Sequence, residues 1–197
     1  MIAAAVPERR YVILAEGSFV DRHAKTGHGL LRYGHDEVLA VIDSTLAGKR
    51  VLGVMLELGR DAPIVGSLEE ELELSPTSIL VGLSPAGGEL PGEWMEALRL
   101  AADAELEIIS GLHQRLAPHF PGAKIWDVRE PPKDIPLFSS AGFGVKLKIA
   151  LTVGTANAIG KITSTLEVQR ATEEVGLSTE FVATGLTGII SPGEGSA

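Results

Sequence analysis

Short β-rich runs alternate with helical patterns along this chain, and one of them, "VLAVID" (Val38 to Asp43), carries apolar side chains on both faces. A strand of that kind must be covered on both sides, which a parallel sheet between two layers of helices achieves. The expected strands lie at 11–16, 38–43, 63–66, 78–83, 106–110 and 124–128. Ser67 stands three residues before Glu70, a capping-box spacing that predicts a helix over "LEEELEL". Trp94, Leu98, Ala101 and Ala102 recur at helical spacing. The fold class is therefore α/β: a Rossmann-like parallel sheet, followed by a partial P-loop NTPase-like βαβ unit. "REPPKDIP" (Arg129 to Pro136) breaks regular structure, giving a Rossmann-like domain over 1–136, a linker over 137–147 and the partial P-loop domain over 148–197.

The second unit rests on "LTVGTANAIGKITSTLEVQ", which reads as a strand, a glycine-bounded loop and a helix that closes at Gly176. The usual phosphate loop is Gly, four residues, Gly-Lys, then Ser or Thr. Here five residues separate Gly154 from Gly160-Lys161, and Ile162 intervenes before Thr163. The physics of an anion site still holds. Glycines let backbone amides converge, the helix N-terminus adds its dipole, and Lys161 supplies a point charge. Thr155 and Asn157 lie within the loop, and Thr163 or Ser164 would serve as the magnesium hydroxyl. The competing reading is a glycine-rich βα turn with a solvated lysine. A second strand, "EFVATG" (Glu180 to Gly185), follows.

Composition sets limits. With 26 acidic and 17 basic residues, the net charge is −9, and the cations are scattered, which argues against a nucleic-acid surface. No cysteine is present, so disulfides, thiolate zinc sites and a cysteine nucleophile are excluded. No apolar run approaches the roughly 18 residues of a membrane span, no secretory signal opens the chain, and a cytoplasmic protein is expected. No cluster has metal-ligand spacing. Homo-oligomerisation is compatible with the sequence.

Other candidates are local. "AKTGHGLLRY" places Lys25, Thr26, His28 and Arg32 close together, offering two cations and a hydroxyl to a carboxylate or phosphate and His28 as a general base. The alternative is an exposed loop entering a short helix. Asp43, with Ser44 beside it, lies 26 residues after Gly17, roughly where a Rossmann fold holds a ribose. The first turn lacks G-x-G-x-x-G, which argues against NAD, and Asp43 then caps the following turn. Gly87 and Gly88 in "SPAGGELP" allow a close backbone approach beyond a central strand. His113 in "SGLH" follows another strand, as a catalytic candidate or a hydrogen-bonded structural residue. Asp127 and Arg129 are expected to pair with each other or to order the interdomain stretch.

Taken together, "AEGSF", "AKTGHGLLRY", "VIDSTLAGK", "PIVGSLEE", "SPAGGELP", "SGLH", "IWDVREPP", "VGTANAIGKITS" and "FVATGLTGII" resemble family 1611 of the domains of unknown function. Members of this family pair a Rossmann-like half with a P-loop half. The GT-x4-GK loop is similar to the dethiobiotin-synthetase type. Some members are D-glutamate N-acetyltransferases. The resemblance thus implies a small-molecule enzyme with acetyl-CoA as donor and D-glutamate as acceptor, or a nucleoside triphosphate with magnesium at the loop. Thr184 and Thr187 in "ATGLTG" would join the ligand site. A non-catalytic nucleotide- or anion-binding protein, or an inactive fragment, is the alternative, and an NAD-dependent epimerase-like protein a lesser one. Two departures stand out: Ala156 and Asn157 replace an acidic and a small polar residue, and Leu186 replaces an amide. Members continue well beyond this point, so the loop is expected to open an incomplete domain, leaving Phe181, Val182, Ile189 and Ile190 exposed. The tail, in which Glu194 is the one acid after Glu180, is expected to pack on the first domain, self-associate or be mobile.

Overall fold

The computed structural model describes residues 8–83, 90–92, 94–130, 140–156, 159–183 and 186–190. Its frame is one six-stranded sheet in the order β3-β2-β1-β4-β5-β6. The strands are β1 (Arg10–Leu14), β2 (Glu37–Ile42), β3 (Ile64–Val65), β4 (Ser78–Val81), β5 (Glu107–Ser110) and β6 (Ile125–Asp127). All neighbours run parallel. Each strand falls where the sequence predicts one, with its ends moved by a residue or two. The order reverses direction at β1 and β4, the doubly wound arrangement of a Rossmann-like sheet. Tyr11 to Leu14 of β1 pair on both edges and are buried on both faces, as the absence of polar side chains there requires.

Five helices complete the description: α1 (Lys25–Tyr33), α2 (Val51–Val54), α3 (Trp94–Asp103), α4 (Lys161–Glu174) and α5 (Leu186–Ile190). On α3, Trp94, Leu98 and Ala101 form the buried stripe that their spacing predicts. The expected helix over "LEEELEL" is a 3-10 helix, Glu69–Leu74. Half of its capping box is present, since Glu70 Oε1 accepts the amides of Gly66 (2.9 Å) and Ser67 (3.1 Å).

The contact between α1 and β4 is close enough to dictate residue type. The Gly27 amide donates to the Gly82 carbonyl at 3.0 Å, and the Gly82 amide to the Leu14 carbonyl at 2.9 Å. A Cβ on Gly82 would lie 2.6 Å from Ile13 Cγ2 and 3.2 Å from the Leu14 carbonyl, and one on Gly27 would lie 2.9 Å from Ile13 Cγ2. Only glycine fits at either position.

The C-terminal part departs from expectation. Helix α4 forms as predicted, but the flanking runs do not become strands among the described residues. Residues 148–154 join no ladder, and Leu151 and Val153 are 74% and 79% exposed. Residues 180–183 also lack strand pairing, and Thr184 lies outside the described residues. An alternating apolar pattern supplies propensity, whereas a strand exists only when a neighbour completes its hydrogen bonds. Nor is the tail's apolar surface open throughout. Val182 is exposed, but Phe181 and Ile189 are half-buried and Ile190 is buried. The reason is packing of α5 onto α1, the first of the three alternatives expected for the tail. Glu194 lies outside the described residues.

The glycine contacts generate a paired expectation. Gly82→Ala should destabilise the protein by about 1–3 kcal/mol, the scale of overpacking a tight core. Gly53→Ala, in α2 with no atom within 4 Å of the added Cβ, should be neutral or stabilising by about 0.4–1 kcal/mol. Urea denaturation of both variants checks this, and equal effects would contradict the packing described.

Candidate functional site

Helix α1 sorts its residues by period. Thr26, Gly27, Leu30 and Leu31 are buried against the sheet, while Lys25, His28, Gly29 and Arg32, at i, i+3, i+4 and i+7, share another face. That face forms one wall of a cavity of about 390 Å³. Gly160, Lys161 and Thr163 from the glycine loop and the start of α4 form the opposite wall, and Thr187 of α5 closes one side. Three separate sequence motifs thus meet at one place. Thr26, expected among the ligand residues, is instead buried on the core face, because a residue one step from Lys25 is turned about 100° around the helix.

Charge makes this cavity distinctive. It is lined by Arg22, Lys25, Arg32 and Lys161 against a single carboxylate, Glu57, in a chain whose overall charge is −9. Such a chain repels anions at long range, so a cavity with a net of three positive charges is where an anionic ligand would settle. Helix α4 adds its N-terminus. Gly160 caps it with φ +88°, no side chain accepts from its first turn, and no acid lies there. Lys161 Nζ donates to the Ala156 carbonyl at 2.6 Å, which draws the ammonium across the loop. Thr152 ties the incoming segment to the helix through the Thr165 hydroxyl at 2.6 Å. A Cβ on Gly154 would meet the tip of the exposed Ile159 side chain, which would have to move aside.

A second cleft, of about 820 Å³, continues along α1 and shares Arg32, Tyr33, Glu57 and Leu58 with the first. It balances Arg32, Arg60 and Arg170 against Glu57, Glu167, Glu173 and Glu180, and so offers less to an anion despite its size. Its floor is the clasp between α1 and α4. Glu167 accepts from the Tyr33 hydroxyl at 3.0 Å and pairs with Arg32 at 3.6 Å. Burial, and then the Glu167 bond, push the Tyr33 hydroxyl above its usual range.

His28 is half-buried, with Nε2 at 2.5 Å from the Phe19 carbonyl and its ring edge-on to the Phe19 ring at 5.3 Å. Burial lowers its pKa below 6.5, against the opposing pull of the Phe19 carbonyl and Glu57. Asp43 is buried, and its oxygens are taken by the Phe19 amide (3.0 Å), the Thr45 amide (3.1 Å) and the Thr45 hydroxyl (2.6 Å). That fits the turn-capping alternative and leaves little for a ribose. Ser44 donates its amide to Glu16 at 2.9 Å and its hydroxyl to the same carboxylate. His113 is exposed, 3.4 Å from Arg129 Nη1, and does not line the cavity. Asp127 accepts the Arg129 amide at 3.0 Å, ordering that turn as expected. Thr155 and Ser164 are exposed and stand outside the cavity lining. Gly87, Gly88, Asn157 and Thr184 lie outside the described residues.

Sequence reading missed Arg22, Tyr33 and Glu57. Arg22 carried a signal, being three residues before Lys25. Tyr33 and Glu57 carried none, since their place depends on how α1, the 3-10 turn at Leu56–Leu58 and α4 come together. Among the described residues, no three His, Asp or Glu side chains converge on a metal-sized point. Thr163 and Ser164 alone do not suit a protein-held magnesium.

The fold and the cavity together define a Rossmann-like domain joined to a P-loop-type unit whose loop faces the first domain. Comparison with known proteins agrees in both parts. The profile described as Domain of unknown function (DUF1611_N) Rossmann-like domain matches residues 44–131, and that described as Domain of unknown function (DUF1611_C) P-loop domain matches residues 136–196. The chain belongs to the DUF1611 family. It is similar to a solved DUF1611 family protein from Anabaena variabilis, with a TM-score of 0.87 and 36% identity over 96% of this chain and 57% of that one. It is also 29% identical, over 66% of its length, to proteins named D-glutamate N-acetyltransferase from a Pseudoalteromonas species and from Tritonibacter scottomollicae. The matches span 41% and 40% of those two proteins. No helix among the described residues is long and apolar enough to cross a membrane.

The histidine environment gives a pH expectation. The unfolded chain protonates His28 near its ordinary 6.5, and the folded protein only at a lower pH. In the window between, the unfolded state binds more protons, so stability falls as pH drops below about 6.5 and levels off beneath the folded value. His28→Asn should remove this component. The stability difference between the parent protein and the variant, followed by urea unfolding from pH 8 to pH 5, should therefore shift against the parent on acidification. A difference that is flat with pH would contradict it.

Proposed function

We propose that this protein is an N-acyltransferase that takes its acyl group from acetyl-CoA and passes it to the amine of an amino acid, with D-glutamate as the first acceptor to test. The observation that carries the reading is the cationic cavity between α1 and α4. There Arg22, Lys25, Arg32 and Lys161 face an uncapped helix N-terminus, a donor set suited to the phosphates of coenzyme A. Each cation–phosphate pair at about 4 Å is worth about 1 kcal/mol in water and about 4 kcal/mol at the effective dielectric near a protein surface. The names of the two bacterial relatives support the reaction class, and the shared Arg32–Tyr33–Glu57 wall leads from the phosphate end to a mixed-charge cleft for the acceptor. A small-molecule enzyme of this kind works in the cytoplasm, where acetyl-CoA is made.

A second reading, non-catalytic binding of a nucleotide or another phosphate, is favoured by two features: Lys161 is held by the Ala156 carbonyl, and the run before the loop joins no sheet among the described residues. Calorimetry separates the two. Acetyl-CoA should bind, magnesium-ATP should bind more weakly, and Lys161→Ala should weaken acetyl-CoA binding by about 1–3 kcal/mol, the scale of a charge-assisted hydrogen bond. Tight ATP binding without acetyl-CoA binding would favour the second reading, and an unchanged affinity in the variant would move the ligand away from the loop.

A further inference from the structure

We propose that His28 is the proton acceptor for the attacking amine, offering Nδ1 to the cavity while the Phe19 carbonyl holds its proton on Nε2. This rests on the transferase reading above and assigns a role inside the same cavity. A carbonyl oxygen can only accept, so the 2.5 Å contact from Nε2 to Phe19 O fixes the hydrogen on Nε2. Nδ1 is then the basic nitrogen. It has no hydrogen-bond partner among the described residues. The buried side-chain polar atoms without a partner are, among them, Glu71 Oε2 and Trp94 Nε1, so Nδ1 reaches open space, and His28 lines the cationic cavity.

The support behind the ring is built in. Buried Asp43 accepts the Phe19 amide at 3.0 Å, and the Phe19 carbonyl in turn receives His28. Asp43, at the end of β2, thereby fixes the turn after β1, which fixes the tautomer of a histidine on α1. Asp43 is a positioning residue, and the three sequence runs "AEGSF", "VIDST" and "KTGH" form one chain of hydrogen bonds. The groups facing His28 are Arg22, Lys25, Arg32 and Lys161, with Glu57 as the opposing charge and the Tyr33 hydroxyl beyond. Burial of the ring favours neutral imidazole, and outweighs the opposing pull of the Phe19 carbonyl and Glu57.

The step balances. The acceptor enters as an ammonium and gives one proton to Nδ1. The freed amine attacks the thioester carbonyl, a C–N bond forms and the C–S bond breaks. The sulfur leaves with the electron pair and takes the second proton from nitrogen, and the imidazolium returns its proton to water. The products are the amide, the thiol and one proton.

The test is nitrogen NMR on the full chain carrying 15N-labelled histidine, alone and then with D-glutamate and with acetyl-CoA. The expected result is an Nε2–H tautomer for His28, a titration midpoint below 6.5, and movement of the Nδ1 resonance on adding D-glutamate. Asp43→Asn should keep the fold by circular dichroism yet mix the two tautomers. An Nδ1–H tautomer, or an Nδ1 resonance unmoved at saturating D-glutamate, overturns the proposal, as does an unmixed tautomer in Asp43→Asn for the positioning role. The two readings fail separately. The expected tautomer and Nδ1 movement without acetyl-CoA binding would remove the transferase reading and keep His28 as the amine partner. Acetyl-CoA binding with Nδ1 protonated would do the reverse.

Discussion

The hydrogen bond from the Gly27 amide to the Gly82 carbonyl, 3.0 Å long, determines how α1 lies on the sheet. It brings the first turn of α1 onto the end of β4, at the point where an open α/β sheet reverses direction and where its ligands usually bind. An amide that would face a pyrophosphate there is already committed. Both partners must be glycine, because any Cβ would press into Ile13. With the inner side of α1 fixed against the sheet, its Lys25–His28–Arg32 face is left for the glycine loop and α4. The proposed ligand site therefore lies on the far side of α1 rather than at the sheet edge.

That displacement explains how a strongly acidic chain can receive an anion. Its cations are scattered in sequence, yet four of them meet around one carboxylate. The Tyr33–Glu167 and Arg32–Glu167 contacts hold the two walls together, and Lys161 waits on a neutral carbonyl. A phosphate oxygen is a stronger acceptor than that carbonyl, so binding would exchange an ion–dipole bond for an ion pair. His28 stands in the same cavity, kept neutral by its burial and so available to receive a proton.

Much of this was legible in the sequence, and for identifiable reasons. The six strands were found because a parallel sheet demands apolar runs, and each one in "YVILAE", "VLAVID" and "SILVGL" has no other use. Lys25, His28 and Arg32 stand out in the sequence by nearness alone, and helix α1 then puts them on one face. Lys161 was found because a glycine and a lysine at a helix start bring backbone amides and a cation to one point. Thr26 was misassigned by taking nearness in sequence for a shared face. The runs at 148–154 and 180–183 were read as strands from their side chains alone, though pairing is a property of two segments. Asp43 caps the turn at Thr45, as its local sequence suggests, whereas its bond to the Phe19 amide, 24 residues away, has no local pattern to report it. Tyr33, Glu57 and Glu167 depend on tertiary packing and left no mark.

The central claim is that the ligand enters between α1 and α4 rather than at the C-terminal edge of the sheet. Hydrogen–deuterium exchange with and without saturating acetyl-CoA tests it most directly. Exchange should slow in peptides covering 25–33 and 159–166, with those covering 16–20 and 43–46 unchanged. Protection confined to 16–20 and 43–46, with α1 and α4 unaffected, would contradict it.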